Sequence, residues 1–168
     1  MSKLKFFFVA AVLTLTSAVS IVLATTKWVK YSNPTSGVTT EIGADWSEAK
    51  IYACNSSQPR CRNAIYVSGP ADNNGVIEIE RAFLPSSGFK GVKKELAQTT
   101  QNITDASIGG LNGFRTHKVL TIMDMTRESY YIEGKGVYWE IEFRAPTNIW
   151  ADVQPTFEHV RSSMHFNN

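Results

Sequence analysis

The stretch Gly136–Ala145, GVYWEIEFRA, alternates without a break. Val137, Trp139, Ile141 and Phe143 take one parity, and Tyr138, Glu140, Glu142 and Arg144 take the other. Successive side chains of an extended chain point to opposite faces, so this segment reads as a half-buried strand with one apolar and one watered face. Just upstream, RESYYIEGKG supplies a partner strand, with Gly134-Lys135-Gly136 as the hairpin turn. NGFRTHKVLTIMD, with Asn112-Gly113 at its mouth, is a third β-rich run. The three segments predict an antiparallel meander from Gly113 to Ala145.

The first half adds strand signals at GVTTEIG (37–43), AKIYAC (49–54), NAIYVSG (63–69) and GVIEIERAF (75–83). Two segments change period. In PSSGFKGVKKELAQTTQ, Ser86 or Ser87 can cap a helix whose stripe is Phe89, Val92 and Leu96. In QPTFEHVRSSM the stripe is Phe157, Val160 and Met164, with Pro155 in the first turn. Two amphipathic helices can cover a sheet with an apolar face, so the predicted fold is α+β with about seven strands.

The segment YACNSSQPRCRN carries the only two cysteines, Cys54 and Cys61, with six residues between them. Zinc sites use paired ligands at shorter spacing, and His117, His159 and His165 lie far downstream. The Cys-x-x-Cys spacing of a redox pair is absent. A structural disulfide at the tip of a strand pair remains, against two unpaired thiols. The loop-entropy estimate for such a bridge is about 2.5 kcal/mol. It persists only in an oxidising compartment.

The N-terminus points to such a compartment. Lys3 and Lys5 precede nineteen uncharged residues, Phe6–Ala24. That length reaches about 28 Å as a hydrophobic helix, and Val22-Leu23-Ala24 ends it with a small residue. Residues 1–24 are therefore a signal peptide or an uncleaved membrane anchor, with Thr14, Thr16, Ser17 and Ser20 favouring cleavage. No cysteine closes the run, so it is not a bacterial lipoprotein signal. In both cases the lysines stay inside and the remainder is extracytoplasmic, in the periplasm or cell envelope. Residues 25–36 read as a lead-in segment, with Trp28 and Tyr31 packing on the domain and Asn33-Pro34 turning the chain; residues 37–168 form a single domain.

The chain has 17 Lys+Arg and 15 Asp+Glu. Without Lys3 and Lys5 the balance is 17 − 2 = 15 against 15, so the exported part is neutral. Nucleic acid is excluded as a partner, because its binding needs net or clustered positive charge. Lys90, Lys93 and Lys94 read as a solvated helix face. Membrane contact is expected only through residues 1–24.

Catalytic motifs are sparse. Gly-x-Ser-x-Gly, His-Glu-x-x-His, the Walker loop and Gly-x-Gly-x-x-Gly are all missing, and GGLNG reads as a turn. Glu78 with Glu80, and Glu140 with Glu142, each share a strand face at a separation of about 7 Å, within reach of acid–base chemistry. His117 is the other candidate for it, and His159 is a candidate ligand on a solvated helix face. No residue is assigned as catalytic, and no metal or cofactor is expected. APTNIWADVQP (145–155) places Ile149 and Trp150 in a loop, where a tryptophan can staple a helix or anchor a partner.

Trp28, Tyr31, Asn33 and Gly37, then Trp46 after a short strand, begin a further pattern. Gly109, Gly110, Gly113 and Phe114 lead into a long strand, Tyr131, Gly134 and Tyr138 mark a hairpin, and Phe157, Ser163 and Phe166 close the chain. The order resembles the Mog1/PsbP-like superfamily over most of residues 28–168. The resemblance implies a curved antiparallel sheet covered by helices, an α/β/α sandwich, preceded here by the N-terminal hydrophobic helix. It also implies a binding or assembly role, as in the extrinsic photosystem subunit and the nuclear Ran-binding protein. Neither role carries over, since the chain has no plastid transit peptide and an exported chain does not meet Ran. The cysteine loop is an embellishment on that family pattern.

The reading that follows is a non-enzymatic exported binding or assembly module recognising a protein partner. The alternatives are an accessory subunit of a membrane complex, held by an uncleaved N-terminal helix, and an envelope hydrolase using Glu or His residues. For the cysteine pair, Cys54→Ser and Cys61→Ser are each expected to lower stability by about 2.5 kcal/mol in urea unfolding under oxidising conditions. Unchanged midpoints in both variants mean that the thiols are unpaired.

Overall fold

The computed structural model describes residues 27–52, 63–70 and 75–167. Residues 1–24, Cys54 and Cys61 lie outside them. Along the chain run β1 (Trp28–Asn33), β2 (Val38–Gly43), β3 (Ser47–Tyr52), β4 (Asn63–Ser68), β5 (Val76–Phe83), α1 (Gly88–Leu96), β6 (Thr104–Ile108), β7 (Leu111–Leu120), β8 (Met125–Glu133), β9 (Val137–Pro146), α2 (Trp150–Ser162) and β10 (His165–Phe166). Short 3-10 turns at Thr121–Met123 and Thr147–Ile149 follow β7 and β9.

The alternating segment is β9, and it sits in the middle of a seven-stranded antiparallel sheet of order β3-β4-β5-β9-β8-β7-β6. A three-stranded sheet, β1-β2-β10, forms separately. The predicted meander is present as β7-β8-β9, with Gly134 N–H bonded to Val137 O at 3.0 Å in its second turn.

Parity sorts the large sheet into two faces. On the inner face Ile65, Ile77, Ile79, Ile132, Trp139, Ile141 and Phe143 are buried together with Val153, Phe157 and Val160 of α2 and Val38 and Ile42 of β2. On the outer face α1 buries Val92 against Phe114, Tyr131 and Tyr138, with Phe89 and Leu96 packed alongside. The architecture is α+β in layers: α1, the large sheet, then α2 with the small sheet. The predicted stripes of both helices are the faces that pack.

Several local expectations change. The lead-in segment is strand β1, paired in register with β2 from Trp28↔Gly43 to Asn33↔Val38. Its turn is built on Asn33, whose side-chain oxygen accepts from Thr35 N–H (2.8 Å) and Ser36 N–H (3.1 Å). β6 and β10 were not expected. Ser87 precedes α1, but its hydroxyl makes no capping bond. Asn112-Gly113 lies within β7, and the turn is Gly109-Gly110, both at positive φ (57° and 79°). Gly113 serves close approach instead: a Cβ there would stand 1.9 Å from the Tyr131 carbonyl oxygen on β8. α2 starts earlier than its capping proline suggested. The 3-10 turn feeds it at Trp150, so Ile149 and Trp150 are not in a loop and Pro155 lies in the second turn.

One bond joins the layers. The indole N–H of fully buried Trp139 donates to Ser36 O at 2.7 Å. It connects the central strand to the β1–β2 turn. Trp139→Phe leaves that buried carbonyl unpaired and opens a void. A loss of about 2–4 kcal/mol in denaturant unfolding is expected, with the fold retained.

Candidate functional site: a carboxylate patch on the outer sheet face

β5 and β9 pair so that Glu78 faces Glu142 and Glu80 faces Glu140. The two predicted same-strand pairs thus become a grid of four carboxylates on adjacent strands. They line a depression of about 170 Å³. Glu142 is buried, and the other three are half-buried.

Cross-strand register surrounds the grid. Tyr66 of β4 lies opposite Glu78, and Ser129 and Tyr131 of β8 lie opposite Glu142 and Glu140. Tyr131 Oη donates to Glu140 at 2.8 Å. One step toward the β7–β8 turn, Arg144 and Arg127 face each other across β9 and β8. Arg127 bonds Glu142 at 3.2 Å, and Arg144 reaches Glu142 at 3.3 Å and Glu78 at 3.5 Å. The Arg144 guanidinium also lies over the Tyr66 ring, 5.9 Å from its centroid. Among the described residues, Arg144 and Arg127 border the four glutamates toward the β7–β8 turn, and the aromatic cluster under α1 lies on the other side.

Like charges directly opposite on a sheet repel. Burial, foremost, pushes the Glu78 and Glu142 carboxyls above the ordinary carboxylate range; neighbouring glutamates add to it, and Arg144, with Arg127 beside Glu142, opposes it. Burial followed by the adjoining carboxylates likewise raises the Tyr66 and Tyr131 hydroxyls, which stay protonated as donors. The site can therefore accept a cation or hold a proton.

Histidines do not join it. His117 is on the opposite face of β7, exposed and edge-on to Trp150 with centroids 5.9 Å apart. His159 is on α2, stacked on Trp28 at 3.7 Å and hydrogen-bonded to Glu41 at 2.8 Å. His165 is exposed in β10. Among the described residues no set of three or more His, Cys, Asp or Glu side chains is arranged to hold a metal ion. Trp150 is half-buried at the start of α2 and packs on Phe157 at 5.5 Å, with Ile149 also against the core. A larger cavity of about 380 Å³ lies between α1 and the β6–β7 hairpin, lined by Phe89 and Phe114 and by the Lys93–Asp105 ion pair (2.7 Å).

The glutamates were visible in the sequence as alternating residues. Arg144 shared their parity, so its place beside Glu142 could have been read as well. Tyr66 and Arg127 could not, because they reach the site only through the pairing of β4 with β5 and of β8 with β9.

The raised Glu78 pKa has a defined sign. A carboxyl that binds its proton more tightly folded than unfolded adds stability as pH falls through the folded pKa, and loses it as pH rises. Glu78→Gln copies the protonated form. It is expected to exceed the parent at pH 7 by about 0.2–1 kcal/mol, the scale of one cross-strand pair. The difference should vanish below about pH 4, the ordinary carboxylate range. Urea unfolding at the two pH values checks both parts.

No protein-family model and no curated protein matches the chain. Solved structures do resemble it. A protein from Bacteroides thetaiotaomicron VPI-5482 superposes with TM-score 0.58 at 15% identity, over 83% of this chain. This chain spans about half of that protein, 48%. Cyanobacterial PsbP (CyanoP) from Synechocystis sp. PCC 6803 gives TM-score 0.55 at 12% identity, over 86% of this chain and 95% of CyanoP. LpqN of Mycobacterium tuberculosis, described as involved in cell envelope biogenesis, gives 0.49 at 10% identity over 84% and 91% of the two chains. At such identities the likeness is one of fold, and the fold of this chain is PsbP-like.

Proposed function

We propose that this chain is an exported, envelope-associated binding or assembly module, without catalytic activity, that recognises a protein partner through its outer sheet face. The observation that carries the proposal is the grid Glu78, Glu80, Glu140 and Glu142. Four facing carboxylates around one depression offer a receptor for a Lys or Arg side chain. A cation entering the depression relieves the repulsion that the folded protein carries without it. The apolar run Phe6–Ala24 after Lys3 and Lys5 supports export. The PsbP-like fold agrees with a binding role by analogy only. A hydrolase that paired a carboxylate with a histidine is disfavoured, because His117 and His159 both belong to the α2 side.

Affinity capture from native membranes, with the full chain as bait, tests the reading. Glu80→Lys/Glu140→Lys is expected to lose the captured partner, and the parent's capture to weaken with rising salt. Equal capture by parent and variant rejects the outer face as the recognition surface. A hydrolase would instead show substrate turnover that Glu80→Gln or Glu140→Gln abolishes.

A further inference from the structure

The large sheet ends in two edge strands, β3 and β6, and they differ. β3 shifts register between Glu48 and Lys50, an irregularity of the kind that turns an edge away from further pairing. β6 pairs with β7 in unbroken register from Thr104↔Arg115 to Ile108↔Leu111. In an antiparallel pair every second residue points its N–H and C=O away from the partner strand. Among the described residues, no main chain answers those groups on β6. Asp105, the charge on this edge, is drawn into the ion pair with Lys93 of α1.

The cavity of about 380 Å³ between α1 and the β6–β7 hairpin reaches the same edge, because Asp105 is part of its wall. Its floor is aromatic. Phe89 and Phe114 lie 5.2 Å apart between ring centroids, and the Lys93 ammonium stands 5.6 Å from the Phe114 centroid. Two charges around it are unanswered. Lys90 of α1 and Glu133 at the end of β8 are exposed, and neither has an ion-pair partner among the described residues.

We infer that an extended peptide segment of a protein partner adds to the sheet along β6 and seats an aromatic side chain in this cavity. The outward main-chain groups of β6 supply affinity, and the cavity beside them supplies selection. An aromatic side chain suits the floor, since rings gain from offset or edge contacts with one another. An acidic residue of the segment meets Lys90 and a basic one meets Glu133, so the segment is of mixed charge. The inference rests on the reading that the partner is a protein; it does not need the carboxylate grid.

The test pans random linear peptides, displayed on phage, against the full chain in detergent micelles. Selected peptides are synthesised and titrated against the parent and variants. They are expected to share an aromatic residue. Asn112→Trp fills the cavity from an exposed position on β7 and is expected to weaken binding about tenfold or more, with the circular dichroism of the parent. Glu80→Lys/Glu140→Lys is expected to bind as the parent does. In the complex, amide exchange along Thr104–Ile108 slows, and N-methylation of the peptide abolishes binding at alternate residues only. Selection of no peptide, or of peptides that Asn112→Trp binds as well as the parent, overturns the inference. Binding lost in the grid variant and kept in Asn112→Trp overturns it while leaving the grid reading in place. Slow β6 exchange without peptide, in a species whose mass rises with concentration, gives the edge to a second copy and overturns it. Free phenylalanine held in the cavity, with peptides leaving β6 exchange unchanged, overturns it in favour of a small-molecule site.

Discussion

The bond from Trp139 to Ser36 governs how the layers meet. Its donor sits at the centre of the large sheet and its acceptor in the turn of the small one, and both residues are fully buried. A buried indole N–H without a partner is costly, so the two sheets are held in one relative position. Phe166 of β10 packs on the same indole, with ring centroids 4.6 Å apart, and Arg81 lies over it at 6.0 Å. Both the start and the end of the folded chain are thereby referred to one residue of β9.

With the inner face closed in this way, the outer face carries the chemistry. It is graded along the strands. Aromatic residues lie under α1, the four glutamates come next, and Arg144, Arg127 and Lys118 form a cationic row near the β7–β8 turn. The gradient follows from parity, because each strand places every second residue on this face. Under the proposed function, cation binding and reduced stability would have a common origin. The repulsion and desolvation that raise the Glu78 and Glu142 pKa values are what a bound cation would offset.

β9, β8 and β5 were legible because their apolar residues alternate strictly, and both helices because their stripes repeat at helical spacing. β6 was not. Only Ile108 of TDASI is buried, so the segment carries almost no pattern. β10 is two residues long and exists through its pairing with Val38 and Thr39. The start of α2 was misplaced because proline usually marks a first turn, whereas the 3-10 turn Thr147–Ile149 begins the winding before it. The carboxylate grid was half legible. Each same-strand pair followed from period two, but the meeting of the pairs depends on β5 lying against β9, with α1 and three strands between them in the chain. Such a pairing is a tertiary choice that local periodicity does not encode.

The position of β2 has a consequence for how the protein matures. It lies between β1, its neighbour in sequence, and β10, formed by almost the last residues described. Thr40 donates to Val160 O at 2.7 Å, across 120 positions. A chain delivered through a translocation channel with its N-terminus leading would expose the β1–β2 hairpin first. That hairpin would wait with one edge open until His165 and Phe166 had followed. Contacts so distant in sequence slow folding, so the interval is long for a domain of this size. During it one edge of β2 has no partner strand.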